Sequence, residues 1–169
     1  TAVDAITTVL NAYSIDAEKA GVISDIMFKT VEKGKLTFEQ LAAGMGGSIA
    51  TAAAAGVSFE EVAAAFATMT RSGISADEAS TALNQTMLSL ISPATEAQEI
   101  SQQLGVEWNL NALQSKGLVG VLKEMMEATG GNVEVINKFV PNVRALKGVL
   151  NLAKNDVRDF AADLEIMEN

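Results

Sequence analysis

Cysteine and histidine are both absent from this 169-residue sequence, and each absence excludes a set of chemistries. Without cysteine there is no disulfide and no thiolate nucleophile, and without histidine there is no imidazole base. The two absences together also remove the usual ligands of zinc and haem. Only carboxylate, lysine or hydroxyl chemistry is left, so the sequence favours a protein that is not an enzyme and that holds no metal and no cofactor.

Aromatic residues and prolines are also scarce, at 5% of the chain and two residues, respectively. The apolar content of 49% comes mainly from Ala, Leu, Val, Ile and Met. Alanine-rich segments without clusters of β-branched and aromatic residues favour helices over strands. We therefore predict an all-α protein, long enough for one domain with a real core or for one elongated helical piece.

Positive charge is lacking from the middle of the chain. Residues 36–115 contain eight acidic residues against Arg71 alone, within a net charge of −9. Nucleic-acid affinity depends on neutralising phosphates with Lys and Arg, so no specific nucleic-acid binding is expected. Residues 116–154 carry a basic strip, for which we expect pairing with the acidic last helix and, as the alternative, contact with DNA or lipid headgroups; it comprises Lys138, Arg144, Lys147 and Lys154.

A short phrase is present twice, as GVSFEEV from Gly56 and as GISADEA from Gly73. Ser58 and Ser75 are suited to cap a helix, with Glu61 and Glu78 three residues later. This is the pattern of a capping box, and the flanking apolar residues suit a hydrophobic staple. The acidic pairs in these phrases fit first helical turns better than general acid–base work, because acids favour the positive end of the helix dipole.

Weaker copies of the phrase predict further helix starts. The glycines at 34, 56 and 73 suit the position after the preceding helix. Short connections between such helices imply antiparallel neighbours, so we predict a multi-helix bundle or an irregular array of short antiparallel helices, with at most a small extended segment near 106–117. The predicted helix-capping residues are Asp16, Thr37, Ser58, Ser75 and Ser92.

Apolar residues at helical spacing mark the predicted core. The sole tryptophan, Trp108, is interpreted as a local packing anchor rather than a binding hot spot. The candidate residues for packing or for self-association along apolar or Ala-rich faces are Phe59, Val62, Phe66, Met69, Leu83 and Met87.

Charged residues are missing from Leu41 to Phe59. The length of this segment would permit a short membrane span, and its small residues would permit close helix packing. We expect a buried, closely packed helix, because alanine and glycine dominate and Gly56 with Ser58 should end the helix early. Insertion into a membrane in some state is the alternative.

The ends of the sequence are abrupt. The first residues, TAVDAITTVLNAYS, have no charged region followed by an apolar one, so they are not expected to form a signal peptide. They begin inside an amphipathic pattern and without Met. We expect a fragment of a longer chain.

About two thirds of the chain, from Leu41 to roughly Leu152, resembles the helical domain of phage tail tape measure proteins. The order of short motifs carries the resemblance, and it includes the run AAAAGVSFEEVAAAFATMTRSGISADEASTALNQTMLSLISPATEA, then LGVEWN and VRALKGVLNLA. The matching positions are Gly56, Gly73-Ile74, Thr81-Ala82-Leu83 and Ser92-Pro93. The resemblance divides the chain into N-terminal helices at 1–35, a tape-measure-like helical domain at 36–154 and an acidic amphipathic helix at 155–169.

The resemblance implies a structural protein of the virion, encoded by a phage or prophage. Such a protein is made in the host cytoplasm, sets tail length from inside the tail during assembly and is released when DNA is ejected. It implies self-association and contacts with the tail tube or assembly chaperones, and contact with the host membrane at infection. The alternative function is a helical protein-binding or membrane-active module of another secretion or injection apparatus.

Overall fold

Eleven α-helices and one 3-10 turn form the structure, a computed structural model that describes residues 1–169. No strand is present and 78% of the residues are helical, which confirms the all-α prediction. The helices are α1 (Ala2–Ala12), α2 (Ala20–Lys33), α3 (Phe38–Gly44), α4 (Gly46–Ala55), α5 (Phe59–Arg71), α6 (Ala76–Ile91), α7 (Thr95–Leu104), α8 (Leu110–Thr129), α9 (Val133–Phe139), α10 (Val143–Leu152) and α11 (Arg158–Glu168), and the 3-10 turn is Ala17–Lys19.

Helix α5 lies at the centre of the array and is buried on every side. Eleven of its 13 residues are buried, and it contacts α2, α4, α6, α8, α10 and α11. Its alanines let six neighbours approach closely, and most of its polar side chains are enclosed together with the apolar ones. The predicted stripe from Phe59 to Met69 is therefore correct but covers only one of the buried faces.

Helix α6 forms a second hub, against which α3, α4, α5 and α10 pack. Small residues set the distance between α6 and α10. A Cβ atom at Gly148 would lie 3.1 Å from the Cβ of Ala82 and 3.0 Å from the Oγ1 of Thr86. These distances are tighter than most Cβ contacts, so glycine favours the close approach of α10 to α6.

Three of the predicted caps accept a hydrogen bond from the backbone N–H three residues on. Thr37 forms the complete capping box with Gln40, whereas Ser58 and Ser75 accept from the N–H groups of Glu61 and Glu78 without the reciprocal bond. The side chains of Glu61 and Glu78 do not bond to the caps of their own helices and contact other parts of the protein instead.

The cap prediction was wrong for Asp16 and Ser92. Asp16 precedes the 3-10 turn and its side chain caps nothing. Ser92 still belongs to the end of α6, where its N–H donates to the Leu88 carbonyl, and α7 begins three residues later, at Thr95 after Ala94. Pro93 lies at the break between the two helices. The sequence pattern indicated this break but did not show that Ser92 belongs to the end of α6 rather than to the start of α7.

The segment 106–117 contains no strand. Val106 to Asn109 lie outside the helices, and the Asn109 side chain accepts a hydrogen bond from the N–H of Ala112 at the start of α8. Trp108 is buried and its ring lies 5.2 Å from that of Phe139. Its interpretation as a packing anchor is confirmed.

The uncharged stretch from Leu41 to Phe59 is divided between α3 and α4, which meet at Met45 and end at Gly56. The buried residues of α4 are small apart from Ile49, which fits close packing rather than a large apolar face. No helix of the protein combines the length and the apolar character that crossing a bilayer requires.

One hydrophobic cluster of 44 buried residues extends from Ala5 to Met167. It includes residues from all three segments of the predicted division at 35 and 154. These segments therefore share a single core.

Gly34 differs from the role expected of it. Its φ of −91° is accessible to any residue, but a Cβ atom there would lie 2.6 Å from the Oγ1 of Thr70. The same hydroxyl accepts a hydrogen bond from the N–H of Lys35 at 3.0 Å. Glycine is required at this position because the backbone that follows α2 lies directly against α5.

Replacing Gly34 with Ala is expected to lower the free energy of unfolding by about 1–3 kcal/mol through overpacking. Gly21→Ala is the matched control, because nothing lies within 4 Å of its added Cβ on α2. That change should raise stability by up to about 1 kcal/mol through helix propensity. Urea unfolding of both variants measures the difference, and equal stabilities would contradict the packing argument.

Candidate functional site: buried carboxylates around the central helix

Two carboxylates are buried in this protein, and both contact the central helix. Glu61 is on α5 itself and Asp163 is on α11, with 5% and 4% of their surfaces exposed. A buried charge is costly unless it is paired or hydrogen-bonded. The partners of these two groups therefore show what holds the neighbouring helices on α5.

Glu61 binds the start of the second half of α8. Its Oε1 accepts from the N–H of Leu118 at 2.8 Å and its Oε2 from the N–H of Val119 at 3.1 Å. Gly117, with φ 72° and ψ 173°, breaks α8 at this point and frees these two N–H groups. The prediction that Glu61 closes a capping box with Ser58 was thus wrong, because the carboxylate caps a different helix.

Gly117 is needed for this contact in two ways. Its positive φ is a conformation that other residues rarely adopt. A Cβ atom at this position would also lie 2.9 Å from the Oε2 of Glu61. The break in α8 and the carboxylate on α5 therefore form one unit, which attaches α8 to the centre of the fold.

The pKa values of the acids at the start of α5 are raised. Burial raises the pKa of Glu61, and the negative charge of Glu168 adds to it, against the lowering effect of the two backbone hydrogen bonds. Burial likewise raises the pKa of Glu60, again with a contribution from Glu168. The pKa of Tyr13 is raised by burial and by both glutamates, while its hydroxyl donates to the Val57 carbonyl at 2.7 Å. Negative charge is therefore disfavoured at this end of α5.

Asp163 joins α11 to the other end of α5. It accepts from the Thr68 hydroxyl at 2.6 Å and from the two terminal nitrogens of Arg71 at 3.2 and 2.7 Å. Arg71 also donates to the Lys33 carbonyl at 2.9 Å, so the end of α2 is attached as well. The hydrogen bonds with Asp163 raise the pKa of the Arg71 guanidinium. One carboxylate thus connects three helices.

These carboxylates do not form a convergent acid–base pair. Asp163 binds at Thr68, seven residues along α5 from Glu61, which corresponds to about 10 Å of helix. Each accepts hydrogen bonds from fixed protein donors. No group of three or more Asp or Glu side chains is placed to hold a metal ion. The chemistry of the site is the attachment of helices.

The basic strip does not pair with the last helix as predicted. Lys147 instead contacts Glu78 on α6 at 2.9 Å, and the ion pair of the last helix is made by Arg71. The physical reason is the packing order, since α10 lies on α6 whereas α11 lies on α5.

The six residues proposed for packing or self-association all lie in the core. Phe59, Val62, Phe66, Met69, Leu83 and Met87 are exposed by 4% at most. Packing is confirmed for them, and any self-association of the folded protein has to use other residues.

Sequence reasoning missed Asp163, although a signal was present. Asp163 occupies an apolar position of the last helix, three residues after Phe160 and four before Met167, both of which are buried. An acid on the buried stripe of a helix indicates a buried partner. Nothing in the sequence pattern identified Arg71 as that partner.

The fold and these contacts define an all-α helical module in which buried carboxylates attach neighbouring helices to a central one. Residues 1–138 match the family model of the phage-related minor tail protein, and the chain belongs to this family. It is therefore a structural protein of phage tails. No curated protein and no solved structure matches it.

Stability should depend on pH through Glu61. Because its folded pKa is raised above the ordinary value of 4.5, its contribution is full below that value and is lost as the pH rises through the folded pKa. Glu61→Gln should therefore flatten the fall of the unfolding free energy as the pH rises above 4.5. Glu39→Gln, an equal charge change on an exposed first turn, is the control for net charge. Parallel curves for wild type and Glu61→Gln would contradict this assignment.

Asp163→Ala should lower the free energy of unfolding by about 2–3 kcal/mol, because it removes charged hydrogen bonds to Thr68 and Arg71. Arg71→Ala should cost at least as much, because it leaves the buried Asp163 carboxylate without its cation, whereas Arg71, with 44% of its side chain exposed, can be solvated when Asp163 is removed. The double variant should show a coupling of about 1 kcal/mol in chemical denaturation. Glu165→Ala, on the exposed face of the same helix, serves as the control and should change stability by about 0.5 kcal/mol at most.

Proposed function

We propose that this chain is part of a tail tape measure protein, which occupies the tail lumen during assembly, sets the tail length and leaves with the DNA. Membership of the phage-related minor tail protein family supports a structural role in the phage tail. The more specific role rests on one observation, namely that the residues resembling the tape measure family lie at the boundaries and contacts of α5 and α6.

The first of these residues are at the two ends of α5. Gly56 ends α4 with a positive φ of 76° and directs the chain into α5. Gly73, with φ 99°, and the buried Ile74 form the turn between α5 and α6. Both glycines adopt conformations that favour glycine, so these motif positions are explained by backbone geometry.

The remaining motif positions belong to α6. Ala82 and Leu83 are buried in the contacts of α6, and Ser92-Pro93 ends the helix. The residues of the family-like motif therefore form the ends and contacts of one helical hairpin, which consists of α5, a turn and α6. The rest of the module packs around this hairpin. This agreement between motif and architecture supports a common fold and, with it, a common role in the tail.

The negative net charge of the chain supports a role inside a channel through which DNA later passes. A net charge of −9 repels a phosphate backbone and disfavours a tight hold on DNA. We propose the tail tube, assembly chaperones and other copies of the chain as its partners, in the virion and in the host cytoplasm during assembly.

The contribution to length depends on whether the module is folded in the tail. As one continuous helix, 169 residues would extend about 250 Å. Folded, a domain of this size has a radius of gyration of about 15 Å and is about 40 Å across. The two states differ about sixfold in length, which electron microscopy of tails resolves.

In-frame deletion and in-frame duplication of these residues in the phage gene test the proposal. Deletion should shorten the tails and duplication should lengthen them by an equal amount, about 250 Å for an extended segment and up to about 40 Å for a folded one. The matched control is the full-length gene carrying Glu165→Ala, which alters an exposed residue and no length. Tails of wild-type length after both deletion and duplication would contradict the proposal.

A further inference from the structure

An open groove runs between α6 and α10 on the surface of the module. Its cavity volume is about 480 Å³. Its lining includes Ala82 at the base, and the six residues along its edges are Asp77, Glu78 and Thr81 on α6 and Val143, Arg144 and Lys147 on α10. None of the six takes part in the attachments to α5 described above.

The two edges of the groove carry opposite charges. Both acids lie on α6 and both bases lie on α10. Glu78 and Lys147 pair across the groove, with more than half of each side chain exposed. Asp77 and Arg144 make no salt bridge within the chain, which leaves one charge of each sign free for a partner.

An apolar side chain lies beside these charges. Val143 is 78% exposed, more than any other large apolar residue of the protein. It is the first residue of α10, and Asn142 before it accepts hydrogen bonds from the N–H groups of Arg144 and Ala145 at 3.0 Å. The start of the helix is therefore fixed, and Val143 is held in solvent.

The two helices that form the walls of the groove are in close contact. Gly148 packs directly on Ala82 and Thr86, and the Thr86 hydroxyl donates to the Ala145 carbonyl at 3.4 Å. A partner that binds here meets a preformed surface, which lowers the entropy that binding costs.

We propose that this groove binds the same groove of a second copy of the chain, around a two-fold axis. In a two-fold contact a surface faces itself, so a patch of one sign would repel. With an acidic and a basic edge, each copy places its acidic edge against the basic edge of the other. Asp77 of each copy then meets Arg144 of the other, and the two Val143 side chains pack between them.

This arrangement does not require the tape measure role, because it concerns only the surface of the folded module. It also differs from the self-association expected of the apolar stripes, whose residues are buried in the core. A nucleic acid is disfavoured as the occupant, since the groove carries as many acids as bases.

Val143→Asp and Val133→Asp are the matched pair that tests the interface. Both valines are the first residue of a helix that follows an Asn cap, and both are exposed. Aspartate suits the first turn of a helix, so neither variant should unfold. Sedimentation velocity between about 1 µM and 1 mM should show a dimer for the wild type and for Val133→Asp, and at least about tenfold weaker association for Val143→Asp.

Charge reversal gives an independent readout. Arg144→Asp and Asp77→Arg should each weaken the dimer, and the double variant should restore it because the two charges of the intermolecular pair are merely exchanged. Lys123→Glu is the control for net charge, since Lys123 is exposed on α8 outside the groove and makes no salt bridge. A chain that is monomeric up to about 1 mM, a dimer equally affected by Val143→Asp and Val133→Asp, or a double reversal without rescue would each overturn the proposal.

Discussion

The enclosure of α5 is the constraint on which the rest of the structure depends. Because every face of this helix is buried, each polar side chain on it needs a partner from another element. Glu61 is bonded to backbone 57 residues away, Thr68 to an acid 95 residues away, and Thr70 accepts from a backbone N–H 35 residues before it. These three contacts attach α8, α11 and the end of α2, so the positions of three helices follow from the polar groups of one.

Local structure could be predicted from the sequence, whereas the long-range contacts could not. The helix class, the caps at Thr37, Ser58 and Ser75 and the stripe on α5 depend on residues within a few positions of one another. The partners of Glu61 and the close packing of Gly34 depend on which helices become neighbours. A capping pattern cannot show that its glutamate is turned to another helix, and a glycine before a helix cap cannot show that it adjoins a threonine on α5.

The function, like the fold, could be predicted from the sequence only in part. The order of motifs along the chain indicates a phage tail protein, and membership of the phage-related minor tail protein family agrees with it. The structure adds the reason for the motif, since its glycines and its Ser-Pro pair bound the hairpin of α5 and α6. It also shows that the apolar stripes are buried in the core, and we propose the groove between α6 and α10 as the surface for self-association instead.

The antiparallel packing of α11 on α5 has a mechanical consequence. Glu168 lies near Glu60 and Glu61 at the start of α5, whereas Asp163 binds Thr68 and Arg71 toward its end. We expect a pulling force on the last residue to load the contacts of Met167 first and to reach the Asp163 ion pair only afterwards. The helix would peel away turn by turn rather than shear as a whole, and peeling requires a smaller force because few contacts break at once. Under such a force the module would yield from the side of α11 first, and the buried residues of α5 would be uncovered as α11 leaves.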